Sequence, residues 1–511
     1  MKIPTVCTIR RLLPLLLIAG LHCAGATAAT YDIVLQGGRV IDPETGLDAV
    51  RNVGINNGTI AAISKKRLKG RDVQDVSGLV VAPGFIDLHA HGQHTIGQQY
   101  QVRDGVTTAL EMEGGVWPVD RFYALREGKA LINYGGTVSH ICVRVKIKTG
   151  IDCPDLMGEE SGADPSADAS SEDAQTPFYE PASEADMAAI LKAIELGYEQ
   201  GGLGVGFGIE YTPGVGRQEV YNIFKHAADY QAPMFVHVRR RPVEAAPGMA
   251  IAVAQEIIAN AAVTGAPLQL VHVTSTALGD APTVIEMIEK AQQKGLDITT
   301  EAYPYTAGST SLGSALFDDG WRKAFGNVDY NVLQWTATGE RLTEETFHKY
   351  RKEQPGGTVV LHVIPEEVAS YAIGHPVVSI ASDGMPWTTS GEHPRGAGTY
   401  GRVFGKYVRQ EGALDLMLAV RKTSLMPALR LQEFVPSMKH KGRIQKGMDA
   451  DITVFNPDTV IDNATFTSPM QYSTGFEHVL VGGTFVVRNA DFVEGALPGK
   501  PILNRLATKS N

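Results

Sequence analysis

The sequence predicts an α/β protein in which a (β/α)8 barrel occupies the middle of the chain and both ends join in a separate β-domain. Three observations support this prediction. The middle alternates short apolar runs with helical stretches, and both ends consist of short β-type runs separated by glycine and asparagine turns. Polar side chains suited to a metal follow several of the middle runs, where the carboxyl ends of barrel strands would meet.

The first 29 residues have the pattern of a targeting segment. Arg10 and Arg11 supply positive charge ahead of an apolar stretch, residues 12–21. Residues 26–28, Ala-Thr-Ala, resemble a cleavage site. Because the apolar stretch is too short to span a membrane, we expect an exported protein, periplasmic or secreted, that keeps no membrane anchor after cleavage.

Composition excludes one class of partner and limits the domain organisation. The 511-residue chain has a formal net charge of -10 and no basic block in its mature part, which argues against a nucleic-acid surface. A chain of this length favours one large domain with a smaller one attached. Cys142 and Cys153 remain after cleavage, and a disulfide and a buried free thiol stay open as alternatives.

Both ends of the mature chain predict a common β-domain. Residues 30–82 and 439–505 each contain short β-type runs with intervening turns. Small sheets need a partner face to bury, so the two ends are expected to pack together. They enclose the predicted barrel, residues 83–438.

Repeated apolar runs predict the barrel. They are residues 105–110, 136–141, 203–207, 232–237, 268–272, 297–301, 358–362 and 377–381. Helical segments such as residues 184–200 and 283–294 separate several of them, an alternation typical of a (β/α)8 barrel.

Residues 152–182 interrupt this alternation of strands and helices with an acidic stretch rich in Ser, Ala and Pro. We interpret this stretch as a mobile surface insertion, with a lid as the alternative.

A histidine pair follows the first apolar run of the middle. His89 and His91 come after residues 79–81 (Leu-Val-Val) and a Pro-Gly turn. Residues two apart in a strand point to the same side, so both imidazoles are expected to face a single metal ion.

Three further strand ends carry metal-binding residue types, namely His237, His272 and Asp383. Together with the first pair they supply four imidazoles and a carboxylate. This mixed nitrogen and oxygen set suits zinc with one position left open for water. The sequence therefore predicts a hydrolytic metal site.

Longer motifs extend across the mature chain. They are Ala82-Pro-Gly-Phe-Ile-Asp-Leu-His-Ala-His91, Gly105-Val-Thr-Thr108, Tyr303-Pro-Tyr-Thr-Ala-Gly-Ser-Thr310, His393-Pro-Arg-Gly-Ala-Gly-Thr-Tyr-Gly-Arg402 and Lys446-Gly-Met-Asp-Ala-Asp-Ile-Thr-Val-Phe455. With them the chain resembles the amidohydrolase superfamily and, within it, the D-aminoacylase (N-acyl-D-amino-acid deacylase) group. The resemblance covers nearly the whole mature chain.

The resemblance implies a distorted barrel with a β-sandwich and a zinc site of one or two ions. The implied ligands are His89, His91, His237, His272 and Asp383. Zinc-bound hydroxide would attack the amide carbonyl, and Asp383 would take the proton and deliver it to the leaving amine. Tyr303 would donate to the tetrahedral oxyanion.

The sequence departs from the D-aminoacylase pattern after Gly105-Val-Thr-Thr108, where that group usually has a metal-binding cysteine. Glu111 and Glu113 occupy this region and share a strand face, and Glu113 lies nearer the carboxyl end. We expect Glu113 to bridge two metal ions. The rivals are Glu210, at another strand end, and a carboxylated lysine from Lys146 or Lys148.

Substrate contacts are predicted from residues near the strand ends. Arg239 and Arg395 can each clamp a carboxylate through two hydrogen bonds. Ser309 is an alternative oxyanion donor to the tyrosine of its motif, and Tyr211 is expected to line the pocket. The run Arg239-Arg240-Arg241 favours an anionic ligand.

The predicted function is metal-dependent hydrolysis of the amide of an N-acyl amino acid, expected to be of D configuration. The alternatives are a dipeptidase, a cyclic-amide hydrolase or a hydrolase of another bulky amide on the same scaffold, because fold and metal do not fix the substrate. A binding protein without catalysis is a third reading, which the complete ligand set disfavours. The expected partner is a small amide that carries a carboxylate, and self-association stays open.

Overall fold

A computed structural model describes residues 30–153, 177–239, 248–387 and 393–508. The predicted targeting segment and most of the predicted acidic insertion lie outside the described residues. Within these ranges, no helix combines the length and the apolar character needed to cross a bilayer.

The described chain alternates strands and helices along its middle and has strands at both ends. The strands are β1 (Thr30–Asp42), β2 (Leu47–Asn56), β3 (Thr59–Ser64), β4 (Lys69–Asp75), β5 (Val80–Pro83), β6 (Phe85–Asp87), β7 (Val106–Val116), β8 (Asn133–Ser139), β9 (Val205–Gly208), β10 (Met234–His237), β11 (Leu268–Leu270), β12 (Ile298–Ala302), β13 (Gly308–Ser311), β14 (Leu333–Trp335), β15 (Thr358–Leu361), β16 (Val378–Ile380), β17 (Ile452–Phe455), β18 (Phe476–Val481), β19 (Thr484–Arg488) and β20 (Asp491–Phe492).

Helices connect most of the central strands. The α-helices are α1 (Thr95–Arg103), α2 (Val119–Arg126), α3 (His140–Thr149), α4 (Glu184–Glu199), α5 (Arg217–Tyr230), α6 (Met249–Thr264), α7 (Val273–Ala277), α8 (Ala281–Gln293), α9 (Trp321–Ala324), α10 (Glu344–Glu353), α11 (Glu366–Gly374), α12 (Arg395–Arg402), α13 (Leu416–Val420) and α14 (Met426–Leu431). Two π-helical segments, Val403–Gln410 and Arg421–Leu425, continue α12 and α13.

The central sheet is a nearly closed barrel of eight parallel strands in the order β6-β7-β8-β9-β10-β11-β12-β16. Its first and last strands approach each other just beyond their carboxyl ends, where the backbone N–H of His91 donates to Gly384 O at 2.8 Å. The barrel and the sheet domain built from the termini confirm the predicted fold class. The carboxyl ends of all eight strands meet at the same rim, which positions the candidate site.

Helix α4 shows how the local sequence builds the outer layer of the barrel. Ser183 caps its amino end by accepting a hydrogen bond from the backbone N–H of Asp186, whose carboxylate accepts one from Ser183 N–H in return. Met187, Ile190 and Ile194 recur at helical spacing and are buried. The helix therefore covers the barrel with one apolar stripe.

The terminal sheet joins both ends of the chain. Its nine strands follow the path β20-β19-β18-β17-β5-β1-β2-β3, with β4 paired to β1. Strand β17 runs antiparallel to β5, so a strand from residues 452–455 completes a sheet begun before residue 83. Val81, Ile452 and Leu480 lie fully buried in the core of this sheet.

Two apolar runs belong to different sheets from those that the sequence predicted. The run 79–81 contributes to β5 of the terminal sheet, and a separate strand, β6, leads to the histidine pair. Gly84 separates the two strands, where a Cβ atom would lie 2.1 Å from Thr107 Oγ1. The run 358–362 was predicted as a barrel strand, and this prediction is wrong, because β15 pairs antiparallel with β13 and β14 in a three-stranded sheet.

The small sheet β13–β15 is inserted between the last two barrel strands. Leu312, Leu333, Trp335 and Phe347 form its own buried core. A short buried apolar run has the same appearance in a barrel and in such a sheet, so its pattern alone did not separate the two.

A disulfide links Cys142 in α3 to Cys153. Of the two alternatives that the sequence left open, a disulfide and a buried free thiol, the structure therefore has the disulfide. The bond closes a short loop directly after Ser139 and Ile141, which line the candidate site.

Candidate metal centre

The barrel rim gathers ionisable residues from six strands. They are His89 and His91 beyond β6, Glu113 in β7, Glu210 beyond β9, His237 at the end of β10, His272 beyond β11 and Asp383 beyond β16. All except His91 and Glu210 are buried.

Two groups of metal-binding atoms share Glu113. His89, His91, Glu113 and Asp383 form one group, and Glu113, His237 and His272 form the other. Within each group the donor atoms lie within 4.8 Å of one another. The chain thus brings together all five ligands implied by the resemblance and the carboxylate expected to bridge them.

Glu113 contacts all four imidazoles. Its Oε2 lies 3.0 Å from His89 Nε2 and 3.3 Å from His91 Nε2. Its Oε1 lies 2.5 Å from His237 Nδ1 and 3.2 Å from His272 Nε2. One carboxylate oxygen therefore faces each histidine pair, the arrangement needed to bridge two ions.

The rivals of Glu113 lie farther from this centre. Glu210 contacts His237 Nε2 at 3.3 Å and belongs to neither ligand group. Lys146 and Lys148 lie on α3, where their ammonium groups donate to Gly150 O and Pro181 O. A bridging role for a carboxylated lysine has no support from these positions.

The first histidine pair is oriented by two buried carboxylates. His89 Nδ1 donates to Glu301 Oε1 at 2.6 Å, and His91 Nδ1 donates to Glu111 Oε2 at 2.7 Å. Glu301 in turn accepts from Gln269 Nε2 at 2.8 Å. These bonds direct the Nε2 atoms of both imidazoles toward Glu113 and fix the ring orientation.

The second histidine pair, His237 and His272, has longer hydrogen bonds to its orienting partners than the first pair. His272 Nδ1 lies 3.2 Å from Thr276 Oγ1, a neutral hydroxyl. His237 contacts the partly exposed Glu210 through Nε2, and the ring of Tyr211 packs edge-on against it at 4.8 Å. Tyr211 also lines the candidate cavity.

Two candidate ligands have a left-handed backbone. The φ angle is 30° at His272 and 52° at Asp383. Non-glycine residues seldom adopt these angles, and such strain concentrates at functional sites where the surrounding structure enforces it. Asp87 contributes to this constraint, because its carboxylate accepts hydrogen bonds from the backbone N–H groups of His89 and Ser382.

The pKa values follow from close opposite charges in a buried site. Burial opposes the charge of His89, but Asp383 and Glu113 together raise its pKa well above the usual range. The pKa of His237 is raised to about 9, since Glu113 outweighs the opposing effect of burial. Burial also opposes ionisation of Glu113, yet His89 and His237 hold its pKa well below normal. The carboxylates therefore favour positive charge at His89 and His237, which is also the electrostatic setting of a bound cation. At His272 burial outweighs them, and the pKa is lowered.

Asp383 is held ionised between the imidazoles and an arginine. Its Oδ2 lies 2.8 Å from Arg395 Nη1, and its Oδ1 lies 3.3 Å from His89 Nε2. Burial opposes its charge, but Arg395 and His89 hold its pKa well below the usual range. One oxygen of Asp383 therefore faces the centre while the other is fixed by the guanidinium.

Tyr303 lies against the same arginine. The guanidinium of Arg395 lies 4.7 Å from the centre of its ring, and burial raises the tyrosine pKa to about 12. The phenol therefore stays protonated and available as a hydrogen-bond donor. Ser309, the alternative donor, uses its hydroxyl on Val359 O at 3.1 Å.

The other predicted substrate residue, Arg239, already has a partner. Its Nε and Nη2 atoms donate to the two carboxylate oxygens of Glu256 at 2.6 and 2.7 Å. It still lines the cavity, and its role as a substrate clamp stays a prediction. Arg240 and Arg241 lie outside the described residues.

The orienting residues Glu301, Glu111 and Thr276 were not predicted. Glu301 ends the run 297–301, so its position at a strand end was a usable signal. Glu111 was weighed only beside Glu113 as a ligand. Thr276 carries no sequence signal of its own, because its role depends on the turn that follows β11.

The chain matches no family model. It is 28% identical over 508 residues to the N-acyl-D-glutamate deacylase of Alcaligenes xylosoxydans xylosoxydans, covering 90% of this chain and 94% of that protein. It is 27% identical to the D-aminoacylase of the same organism, covering 90% and 96%.

Among solved structures, the fold is similar to the N-acyl-D-glutamate deacylase of Bordetella bronchiseptica, crystallised with zinc and a phosphonate mimic of the tetrahedral intermediate. The TM-score is 0.75 at 22% identity, with 93% of this chain and 100% of that chain covered. The chain is therefore similar in sequence to an N-acyl-D-glutamate deacylase and a D-aminoacylase, and it shares its fold with a solved N-acyl-D-glutamate deacylase.

Proposed function

We propose that the protein is a zinc-dependent hydrolase of N-acyl-D-amino acids that cleaves their linear amide bond. The observation that carries this proposal is the contact of Glu113 with four imidazoles beside Asp383 at the barrel rim. The names of the relatives support the substrate class and its D configuration.

The donor set fits zinc, which favours imidazole nitrogen and carboxylate oxygen in proteins. His89, His91 and Asp383 would hold one ion, His237 and His272 the other, and Glu113 would bridge them. When bound, zinc supplies a Lewis acid that polarises a carbonyl and lowers the pKa of water.

Asp383 is positioned to move the proton of the reaction. The arginine and imidazoles around it keep its carboxylate ionised, so Oδ1 can accept a proton from the attacking water. The same oxygen can then deliver the proton to the leaving nitrogen, which makes one carboxylate serve as base and then as acid.

Tyr303 and Arg395 are positioned to bind the substrate. The protonated phenol of Tyr303 lines the cavity and can donate to the oxyanion of the tetrahedral intermediate. Arg395 uses Nη1 on Asp383, whereas its Nη2 contacts Ser309 O only at 3.4 Å. We assign Nη2 to the substrate carboxylate.

We further propose that the protein acts outside the cytoplasm. The targeting pattern of the first 29 residues supports export. The Cys142–Cys153 disulfide supports it independently, because such bonds persist in oxidising compartments.

The first test is metal content of the purified mature protein together with amine release from N-acetyl D- and L-amino acids, with and without a chelator. Chelator-sensitive release from D substrates is expected. Release from L substrates alone would contradict the proposed stereochemistry. Bound zinc without release from any N-acyl amino acid would contradict the substrate class, and dipeptides and cyclic amides would be the next substrates to measure.

A further inference from the structure

His393 lies buried beside Arg395, and both of its ring nitrogens contact the backbone. The backbone N–H of Arg395 donates to Nδ1 at 3.0 Å, and Nε2 lies 2.9 Å from Ala307 O. An N–H group can only donate and a carbonyl can only accept, so these partners assign the single ring proton to Nε2. Burial and the charge of Arg395 hold the pKa of His393 well below its usual range. The ring is therefore neutral and links two separate segments of the chain.

The first of these segments is the start of α12. Arg395 is the first residue of this helix, so its backbone N–H has no acceptor within the helix. Pro394, which precedes it, makes no side-chain hydrogen bond to the end of the helix. His393 Nδ1 supplies the acceptor instead. The imidazole therefore fixes the backbone from which the arginine side chain extends.

The second segment, residues 303–310, carries the proposed oxyanion donor. Ala307 lies in it, directly before β13. The guanidinium of Arg395 reaches the same segment, because its Nη2 lies 3.4 Å from Ser309 O and its central carbon lies 4.7 Å from the ring centre of Tyr303. His393 thus links the backbone of the arginine to the segment that the arginine side chain contacts.

The guanidinium of Arg395 has few other contacts that could fix its position. Nη1 lies 2.8 Å from Asp383 Oδ2, and the contact of Nη2 with Ser309 O is long. Within the described ranges of the chain, Nε has no hydrogen-bond partner. A guanidinium binds a carboxylate through two parallel hydrogen bonds only when its plane is aligned with the carboxylate. A displaced Arg395 backbone would therefore weaken the binding of the substrate carboxylate.

Two aromatic rings hold the imidazole of His393 from its sides. The ring centre of Tyr305 lies 5.4 Å away and that of Phe466 lies 5.0 Å away, and both rings are nearly perpendicular to the imidazole. Edge-on ring pairs at such distances are favourable. Phe466 lies in the segment after β17, and its carbonyl accepts a hydrogen bond from Gln334 Nε2 of β14 at 2.9 Å. The C-terminal part of the chain therefore contacts the residue that supports Arg395.

We propose that His393 is a positioning residue for substrate binding and that Phe466 holds its ring in place. The neutral imidazole keeps the backbone of Arg395 fixed against residues 303–310, so that the guanidinium meets the carboxylate of the substrate. This inference rests on the proposed function, which assigns that carboxylate to Arg395. It adds two residues that act through the arginine without touching the substrate.

The test removes the imidazole and the substrate carboxylate separately. The substrates are the N-acetyl-D-amino acid that the zinc-loaded mature protein cleaves fastest and the carboxamide of the same compound. In His393→Leu, kcat/KM for the carboxylate substrate should fall at least about tenfold, whereas kcat/KM for the carboxamide should change less than about threefold. An equal loss for both substrates, or no loss for either, would overturn the positioning role and leave the proposed function intact.

His393→Asn tests the bond to the Arg395 N–H by itself. The Oδ1 atom of asparagine lies near the position of the histidine Nδ1 and can accept the same hydrogen bond. This variant should therefore recover about half or more of the loss seen in His393→Leu on a logarithmic scale. A loss as large as that of His393→Leu, with unchanged zinc content, would show that the backbone bond does not position the arginine.

Two variants test the ring contact with Phe466. Phe466→Leu should lower kcat/KM for the carboxylate substrate about threefold and leave that for the carboxamide unchanged, because its effect passes through His393. An unchanged ratio of the two substrates would remove Phe466 from the proposal. His362→Asn is the matched control, since His362 also contacts the ring of Phe466, at 4.7 Å, but lies 3.0 Å from Gln334 Oε1 through Nε2. A change of the ratio as large as in His393→Leu would contradict the assigned path.

Binding of inert analogues gives a readout that does not depend on turnover. We would measure two phosphonate analogues of N-acetyl-D-alanine by calorimetry, one with the α-carboxylate and one with a carboxamide in its place. Weaker binding of the carboxylate analogue alone by His393→Leu supports the positioning role even if no amide is cleaved, which would contradict only the proposed reaction. Equal binding by the variant and the unmodified protein would overturn the inference. Binding of neither analogue by the unmodified protein would overturn both.

Discussion

The pair His89 and His91 and the pair His237 and His272 meet the same carboxylate, but the protein supports them differently. Each imidazole of the first pair donates to a buried glutamate at 2.6 or 2.7 Å. In the second pair, His272 contacts a threonine hydroxyl and His237 contacts the partly exposed Glu210, at 3.2 and 3.3 Å.

The two halves of the centre therefore have unequal electrostatics. Carboxylates behind the first pair make its imidazoles better electron donors and hold them in one orientation. Asp383 adds a further negative charge to the same half. We expect the first half to hold its zinc ion more tightly than the second.

The largest effect is expected from Glu113→Ala, which removes the group common to both halves. Each half loses a ligand, so zinc binding should weaken by at least about 100-fold. Zinc content after gel filtration measures the loss. Glu210→Ala is the control and should keep near-normal zinc; if it loses zinc while Glu113→Ala does not, the bridge has been assigned to the wrong glutamate.

The second-largest effect is expected from Asp383→Asn, which separates metal binding from proton transfer in the half that contains His89 and His91. The amide retains an oxygen donor but cannot carry the proton, so kcat should fall about 100- to 10,000-fold with zinc content largely preserved. Steady-state kinetics and metal analysis on the same preparation measure both quantities. Near-normal turnover would remove Asp383 as the proton carrier.

A smaller effect is expected from Glu301→Gln, which changes only the support of His89. Loss of the buried charge should weaken binding of one zinc ion about 10- to 100-fold. Competition with a chromophoric chelator measures this affinity without any substrate. An unchanged affinity would show that Glu301 fills space behind the imidazole without orienting it for a metal.

The smallest effect is expected from Thr276→Val, the corresponding change in the second half. It removes a neutral hydrogen bond of the kind that contributes about 1 kcal/mol, so zinc affinity should fall about fivefold. The same chelator competition applies. If this variant weakens zinc binding as much as Glu301→Gln, the proposed inequality of the two halves is wrong.

Most of the candidate metal ligands were predictable because the functional residues of a (β/α)8 barrel lie at the carboxyl ends of its strands. His89, His91, His237, His272 and Asp383 each follow an apolar run that the sequence marks clearly. Strand alternation put Glu113 and Glu111 on the same face, and Glu113 was chosen because it lies nearer the carboxyl end of the strand. The pairing of β7 with β8 becomes irregular after Glu111. Both glutamates reach the centre, one between the histidine pairs and one behind His91.

The orienting residues and the inserted sheet were harder to predict, for different physical reasons. Thr276 reaches His272 because it lies four residues later, in the helix α7 that begins directly after this histidine. The positive φ angle of His272 leaves no trace in local composition. Residues 358–361 have the β-branched, apolar character of any buried strand. Only their long-range antiparallel pairing with β13 and β14 distinguishes them from the barrel.

The sheet shared by the two ends of the chain has a consequence for the order of folding. Every candidate zinc ligand precedes Gly384. Strand β5, however, pairs with β1 on one edge and with β17 (Ile452–Phe455) on the other, so its second edge stays unpaired until β17 has been synthesised. Until then the edge of β5 is open to pairing with another chain, a known route to aggregation. A protein shortened before Ile452 would thus retain all the residues of its chemistry and still have an incomplete sheet, which makes the last strands a condition for solubility.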